Sequence, residues 1–174
     1  CPAADTAIPG TALLRQQAIR LLPHVAVGTT GKPDQISTAP VSLVNIQTIL
    51  WAQTTPTRDL GHVIILGQPV HLRITLAHAD WNFGDGTTDT TTRAGKVYDE
   101  GTDPCATVRC PDYFGHVYSR TGSTTVKLAI TWTGSYSLDG AHYQPIGGGD
   151  ITGPATAATL TLRQAHGVLV RPPH

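Results

Sequence analysis

Two runs of strict alternation constrain this chain more than anything else in it. Val70, Leu72, Ile74 and Leu76 alternate with His71, Arg73, Thr75 and Ala77, and Trp81 and Phe83 extend the pattern beyond Asp80. Downstream, Val126, Leu128, Ile130 and Trp132 alternate with Lys127, Ala129 and Thr131. A period of two sends alternate side chains to opposite faces of a strand, so both runs read as strands with one buried face. A third run, Ala155 to Arg163, sets Leu160 and Leu162 against Thr159 and Thr161. Turn signals such as Gly84-Asp85-Gly86 and Gly147-Gly148-Gly149-Asp150 separate these runs. Short strands divided by Gly and Asp turns predict an all-β sandwich rather than a βαβ fold.

Composition agrees. Charged residues make up only 14%, against roughly a quarter in an average soluble domain. The polar surface therefore falls to Thr, Ser, Gln and Gly, and β-branched Thr suits strand faces better than helices. At 174 residues the chain is expected to form one domain. Residues 1–60 read as an N-terminal arm, a short helix and an extended segment packed on a sandwich formed by 61–174. The helix is expected from a Thr11 cap to Leu22, with Leu14, Ala18 and Leu21 on one face and Pro23 ending it. Gly28 to Pro40 and Thr54 to Asp59 read as loops, and Val41 to Trp51 as a strand or extended clamp.

Twelve basic side chains balance twelve acidic ones. No basic stripe is present, which argues against nucleic-acid binding. Apolar runs such as Val63-Ile64-Ile65-Leu66 are too short to span a bilayer, so no membrane span is expected.

Trp81-Asn82-Phe83-Gly84-Asp85-Gly86 resembles the W-[DN]-F-G-D-G signature of PKD domains. His116-Val117-Tyr118, followed by Gly122 and the strand from Val126 to Ile130, resembles that family's second hallmark, H-x-Y with G-x-Y-x-V-x-L. The likeness covers roughly Val63 to Thr133. It implies an Ig-like β-sandwich, of the kind used in extracellular proteins as a spacer or interaction module. The order of Leu43 to Ile46, Leu50-Trp51 and the FGDG turn is also similar to secreted proteins of high-GC actinobacteria, a likeness that implies no activity. The chain departs from the PKD pattern twice. Thr124 stands where the family has an aromatic, and a long insertion, Thr87 to Tyr113, carries a cysteine pair.

Physical chemistry gives the motif residues structural roles. Trp81 and Phe83 are expected to fill the core. Gly84 and Gly86 permit the turn, Asp85 accepts amides within it, and Tyr118 ties a loop to the sandwich. Cys105 and Cys110 lack a second ligand pair for zinc and read as a local disulfide of an oxidising compartment. Cys1 is the odd cysteine, with lipidation, an intermolecular bridge or no role at all open to it. His71 and His78 have opposite parity and are expected on opposite faces of their strand. His62, His142, His166 and His174 show no ligand spacing, and no metal site or cofactor is expected. Asp80, Asp85, Asp89, Asp99, Asp103 and Asp112 surround the turn and insertion without calcium-loop spacing.

No nucleophile elbow or phosphate loop is present, and no catalytic residue is expected. The reading is a non-enzymatic secreted or cell-surface module for adhesion, spacing or protein–protein interaction, with a protein or a cell-surface glycan as partner. Two alternatives stand beside it. One is a subunit of an extracellular homopolymer assembled through its terminal arm. The other is an accessory domain of a larger secreted hydrolase.

Overall fold

A sixteen-residue strand, Gly122–Ser137, forms the spine of the protein. Its even-numbered residues from Thr124 to Tyr136 are buried without interruption. The computed structural model describes residues 10–31, 37, 39–105 and 107–165. Cys1, nearly all of the terminal arm, His166 and His174 therefore lie outside the described residues.

In chain order the elements are α1 (Thr11–Arg20), β1 (Val27–Thr29), β2 (Val41–Leu43), β3 (Gln47–Ala52), β4 (Thr57–Ile65) and β5 (Gln68–Asn82). They are followed by β6 (Thr88–Thr91), β7 (Gly115–Val117), β8 (Gly122–Ser137), β9 (Gln144–Pro145), β10 (Ile151–Thr152) and β11 (Thr156–Arg163). The larger sheet runs β2-β11-β8-β5-β4, with β6 on β5 and β9 and β10 on β8. The smaller sheet runs β1-β3-β7. The fold is all-β apart from one short helix. The division expected at residue 60 falls inside β4, and the main core joins Leu50 and Ala52 to Trp81, Leu128 and Leu160.

The inward face of the large sheet is covered in two halves. The small sheet covers one half, closing a core that includes Ile74, Trp81, Phe83, Val126, Leu128, Ile130 and Trp132. α1 covers the other, seating Leu14 and Ala18 against Val70, Leu72 and Tyr136. A ten-residue helix has little stability alone, and this packing holds it in place. Thr11 is its first helical residue rather than its cap. Gly10 takes the cap position without a side-chain bond. Leu21 points outward at 39% exposure, and Leu22 joins the core margin in its place.

β3 explains the apolar run at Ile49-Leu50-Trp51. Thr48, Leu50 and Ala52 face the large sheet, whereas Ile49 and Trp51 face outward and lie under the insertion. A strand covered on both faces reads as continuously apolar. Two other expectations are corrected. Thr57 to Asp59, read as loop, opens β4, because an exposed edge strand carries no apolar alternation. In β5, a register shift between Leu76 and His78 inserts one extra residue. The buried set therefore changes parity, from Val70, Leu72 and Ile74 to Ala79 and Trp81. His71 and His78 consequently share the outward face instead of lying on opposite sides.

Candidate functional site

The turn between β5 and β6 is built from its own side chains. Asn82 Oδ1 accepts the Gly84 amide at 2.9 Å. Asp85 Oδ1 accepts the Thr87 amide at 3.0 Å and the Thr87 hydroxyl at 2.6 Å. Gly84 has φ +80°, and a Cβ there would lie 2.4 Å from Thr124 Oγ1 and 2.5 Å from the Thr125 carbonyl oxygen. Conformation and space both demand glycine. Behind the turn, the Phe83 carbonyl accepts two hydroxyls, from Tyr118 at 3.2 Å and from Thr124 at 2.9 Å. Thr124 thus supplies a buried hydrogen bond behind the turn.

His116, on β7, closes the arrangement from the small sheet. Its ring stacks on Phe83 at 4.2 Å between centroids and 6° between planes, and meets Tyr118 edge-on at 4.6 Å. Its Nε2 lies 2.7 Å from Asp85 Oδ2. Partial burial pulls the Asp85 carboxyl upward, but the hydrogen bonds of Thr87 and His116 outweigh it and hold the group at about 2. Burial, with the Asp85 charge added, raises the Tyr118 phenol well above its ordinary value. A carboxylate so acidic is a weak base at neutral pH. The sequence motif therefore forms a clasp joining the two sheets, with Trp81 beneath it at 1% exposure. Gly122, the remaining motif residue, opens β8 at φ +134°.

The insertion lies against the opposite face of the small sheet. Its first residues are regular: Thr88–Thr91 forms β6 and pairs with β5. The rest is a stapled loop. Cys105 and Cys110 are joined by a disulfide. Gln47 anchors the loop three times. Its side chain accepts the Cys110 amide at 2.7 Å and donates to the Tyr113 carbonyl at 2.9 Å, and its backbone amide donates to Val108 at 2.9 Å. Tyr98 and Tyr113 pack edge to face at 5.5 Å. The Tyr113 hydroxyl donates to the Asp103 carbonyl at 2.7 Å, and Lys96 pairs with the Asp103 carboxylate. The end of β6 and the last residues of the insertion border an open cleft of about 810 Å³. Leu76 and Phe114 line it together with Thr92, Arg93, Lys96 and Asp112.

The structure thus brings together Trp81, Phe83, Gly84, Asp85, His116 and Tyr118, and places the cysteine pair apart from them. The acidic residues do not converge. Asp80 accepts from Thr90 and Asp99 from Thr102, each at 2.7 Å. Among the described residues no group of three or more His, Cys, Asp or Glu side chains is placed to hold a metal ion. Gln47 escaped the sequence reading, since its partners lie more than sixty residues away. No family model, curated protein or solved structure matches the chain.

Proposed function

We propose that this chain is a non-enzymatic secreted or cell-surface module, a PKD-like sandwich that holds its insertion rigidly for adhesion, spacing or protein–protein interaction. The observation that carries this reading is the use of the motif's polar groups. Asn82, Asp85, Thr87, His116 and Tyr118 all bond to one another or to the turn backbone. Such a clasp rigidifies a scaffold and leaves binding to the loops around it. The disulfide suits an oxidising compartment. The cleft bordered by the insertion is lined by apolar Leu76 and Phe114 together with polar Arg93, Lys96 and Asp112, which suits a protein or glycan partner.

The test is retention of the purified protein on intact cells and on isolated cell-wall polysaccharide and protein. Saturable retention that R93A/D112A abolishes supports the module. A stable monomer that no surface retains overturns the adhesion reading.

A second reading, assembly between copies, has one observation in its favour. The large sheet ends on β4, whose outer edge has no strand partner among the described residues. A free edge accepts an added strand. Light scattering before and after deletion of residues 1–10 tests it. Loss of oligomers on deletion supports the reading, and an unchanged monomer rejects it.

A further inference from the structure

We propose that His62 and His71 form a two-imidazole seat for a divalent transition-metal ion of borderline softness, Cu²⁺, Ni²⁺ or Zn²⁺. The two residues are distant in any ligand-spacing motif, but the β4–β5 hairpin sets them directly opposite one another. Directly paired residues of an antiparallel ladder project from the same face, with Cβ atoms about 4.5–5.5 Å apart. Here that face is the outward one, since neighbouring Val63 and Val70 turn toward the core. The imidazole centroids lie 6.0 Å apart with a 50° tilt.

Three other histidines have carboxylate partners: His78 with Asp80 at 3.4 Å, His116 with Asp85 at 2.7 Å and His142 with Asp139 at 2.6 Å. His62 and His71 make no hydrogen bond or ion pair among the described residues, and Ser137, opposite His71 on β8, gives its hydroxyl to Asp139. Arg73, two residues along on the same face, is engaged elsewhere. It lies 3.7 Å from the Asp59 carboxylate and 3.7 Å above the Tyr143 ring. Gly140, in the loop after β8, lies on the His71 side of that loop. A Cβ there would meet Nε2 at 3.5 Å and both Cδ2 and Cε1 at 3.6 Å, near-equal distances that place it over the ring face. A side chain at this position would cover the ring face, and glycine leaves it clear.

Imidazole nitrogen is a good ligand for these metals. With metal–nitrogen bonds of about 2.0–2.1 Å, two rings on neighbouring positions of one ion have centroids about 4.5–5 Å apart, the shorter for square-planar Cu²⁺ or Ni²⁺ and the longer for tetrahedral Zn²⁺. His62 is exposed, and a change of its side-chain rotamer supplies the difference of about 1–1.5 Å. Water completes the coordination. Cross-linking two strands only in the folded protein, the ion stabilises the edge hairpin by mass action.

The experiment uses the full chain, metal-free, with the Cys1 thiol alkylated, at pH 7.5. Substoichiometric Cu²⁺ is expected to broaden the ring proton signals of His62 and His71 before those of the other histidines. Calorimetric titration with Ni²⁺ alone is expected to show H62Q and H71Q each weakening binding at least roughly tenfold, as loss of a chelate requires. The double variant is expected to be no worse than either single one, and H142Q to be unchanged. Because His62 is exposed, H62Q tests the seat without a risk to folding. Broadening that begins at another histidine, or undiminished Ni²⁺ affinity in H62Q, overturns the proposal.

Discussion

The His116 imidazole and the Asp85 carboxylate meet at 2.7 Å although they lie 31 residues apart. One belongs to the small sheet and the other to the turn that ends β5 of the large sheet. Their contact, the Phe83–His116 stack and the Tyr118 bond to Phe83 form one polar and aromatic fastening between the sheets. Burial of Trp81, Leu128 and Leu160 holds the sheets together over a wider area. The clasp fixes how they sit at this end.

Acid should loosen the clasp. Asp85 has an ordinary value near 3.8 and is held at about 2 in the folded protein. A carboxyl depressed on folding contributes stability that is complete above its unfolded value and is lost as pH falls through its folded value. Urea unfolding is therefore expected to show stability falling from about pH 4 to about pH 2. Asp99, Asp103 and Asp139 are also lowered, by hydrogen bonds to Thr102, Lys96 and His142 first, and they share this acid limb. D85N isolates the clasp. It should flatten part of the limb and, by weakening bonds to a charged group, cost about 1–3 kcal/mol at neutral pH. An acid limb identical in D85N and the parent would show that this contact carries no stability.

W81A should be far more damaging. Trp81 is 1% exposed, packs on Phe114 at 5.1 Å between centroids and donates its indole N–H to Thr91 at 3.2 Å. Truncating a large buried aromatic costs about 3–5 kcal/mol. Denaturant titration should register that loss. A loss under about 1 kcal/mol would mean that the cavity collapses at little cost, contrary to a close-packed core.

Much of the large sheet was legible because β5, β8 and β11 each have one buried face, and a period of two records that directly. The extra residue at Ala77 was hidden, since a bulge leaves no compositional trace when its neighbours are small or aliphatic. β4 was hidden in its first residues, because Thr57, Arg58 and Asp59 are exposed at an edge. The motif residues were legible as a turn, but the meeting of Asp85 with His116 depends on how the sheets stack. The His62–His71 pairing had a readable signal. Both residues lie symmetrically about Leu66-Gly67, the two-residue loop that pairs Ile65 with Gln68. Leu-Gly is not among the dipeptides that announce such a loop.

The disulfide should be local in its effect. Cys105 and Cys110 belong to a small cluster with Ile49 and Tyr113, separate from the main core. Intact mass should show both sulfurs protected from alkylation until the protein is reduced. Closing so short a loop stabilises by about 2–3 kcal/mol in the chain-entropy treatment. In C105S/C110S, hydrogen exchange should accelerate within 96–112 while amides of β5 and β8 keep their protection. Equal loss of protection in β8 would show that the insertion is part of the cooperative core.

The tip of the β4–β5 hairpin should tolerate improvement. Leu66 and Gly67 both have positive φ, at +51° and +80°, as a two-residue turn of the I′ kind requires. Glycine adopts this conformation freely, but leucine brings its Cβ close to the following carbonyl, at roughly 1–2 kcal/mol. Asparagine tolerates it through local hydrogen bonding. Leu66 is 77% exposed, so its side chain contributes little burial to offset the strain. L66N is therefore expected to stabilise the protein by about 1 kcal/mol, seen as a higher urea midpoint at unchanged slope. L66V should move the midpoint the other way, because a β-branched side chain fits a positive φ less well than leucine. Register across the hairpin depends on this turn, so L66N should also leave the cross-strand His62–His71 contact intact. A lower midpoint for L66N would mean that Leu66 packs on Leu138 and Ile65 strongly enough to outweigh its backbone strain.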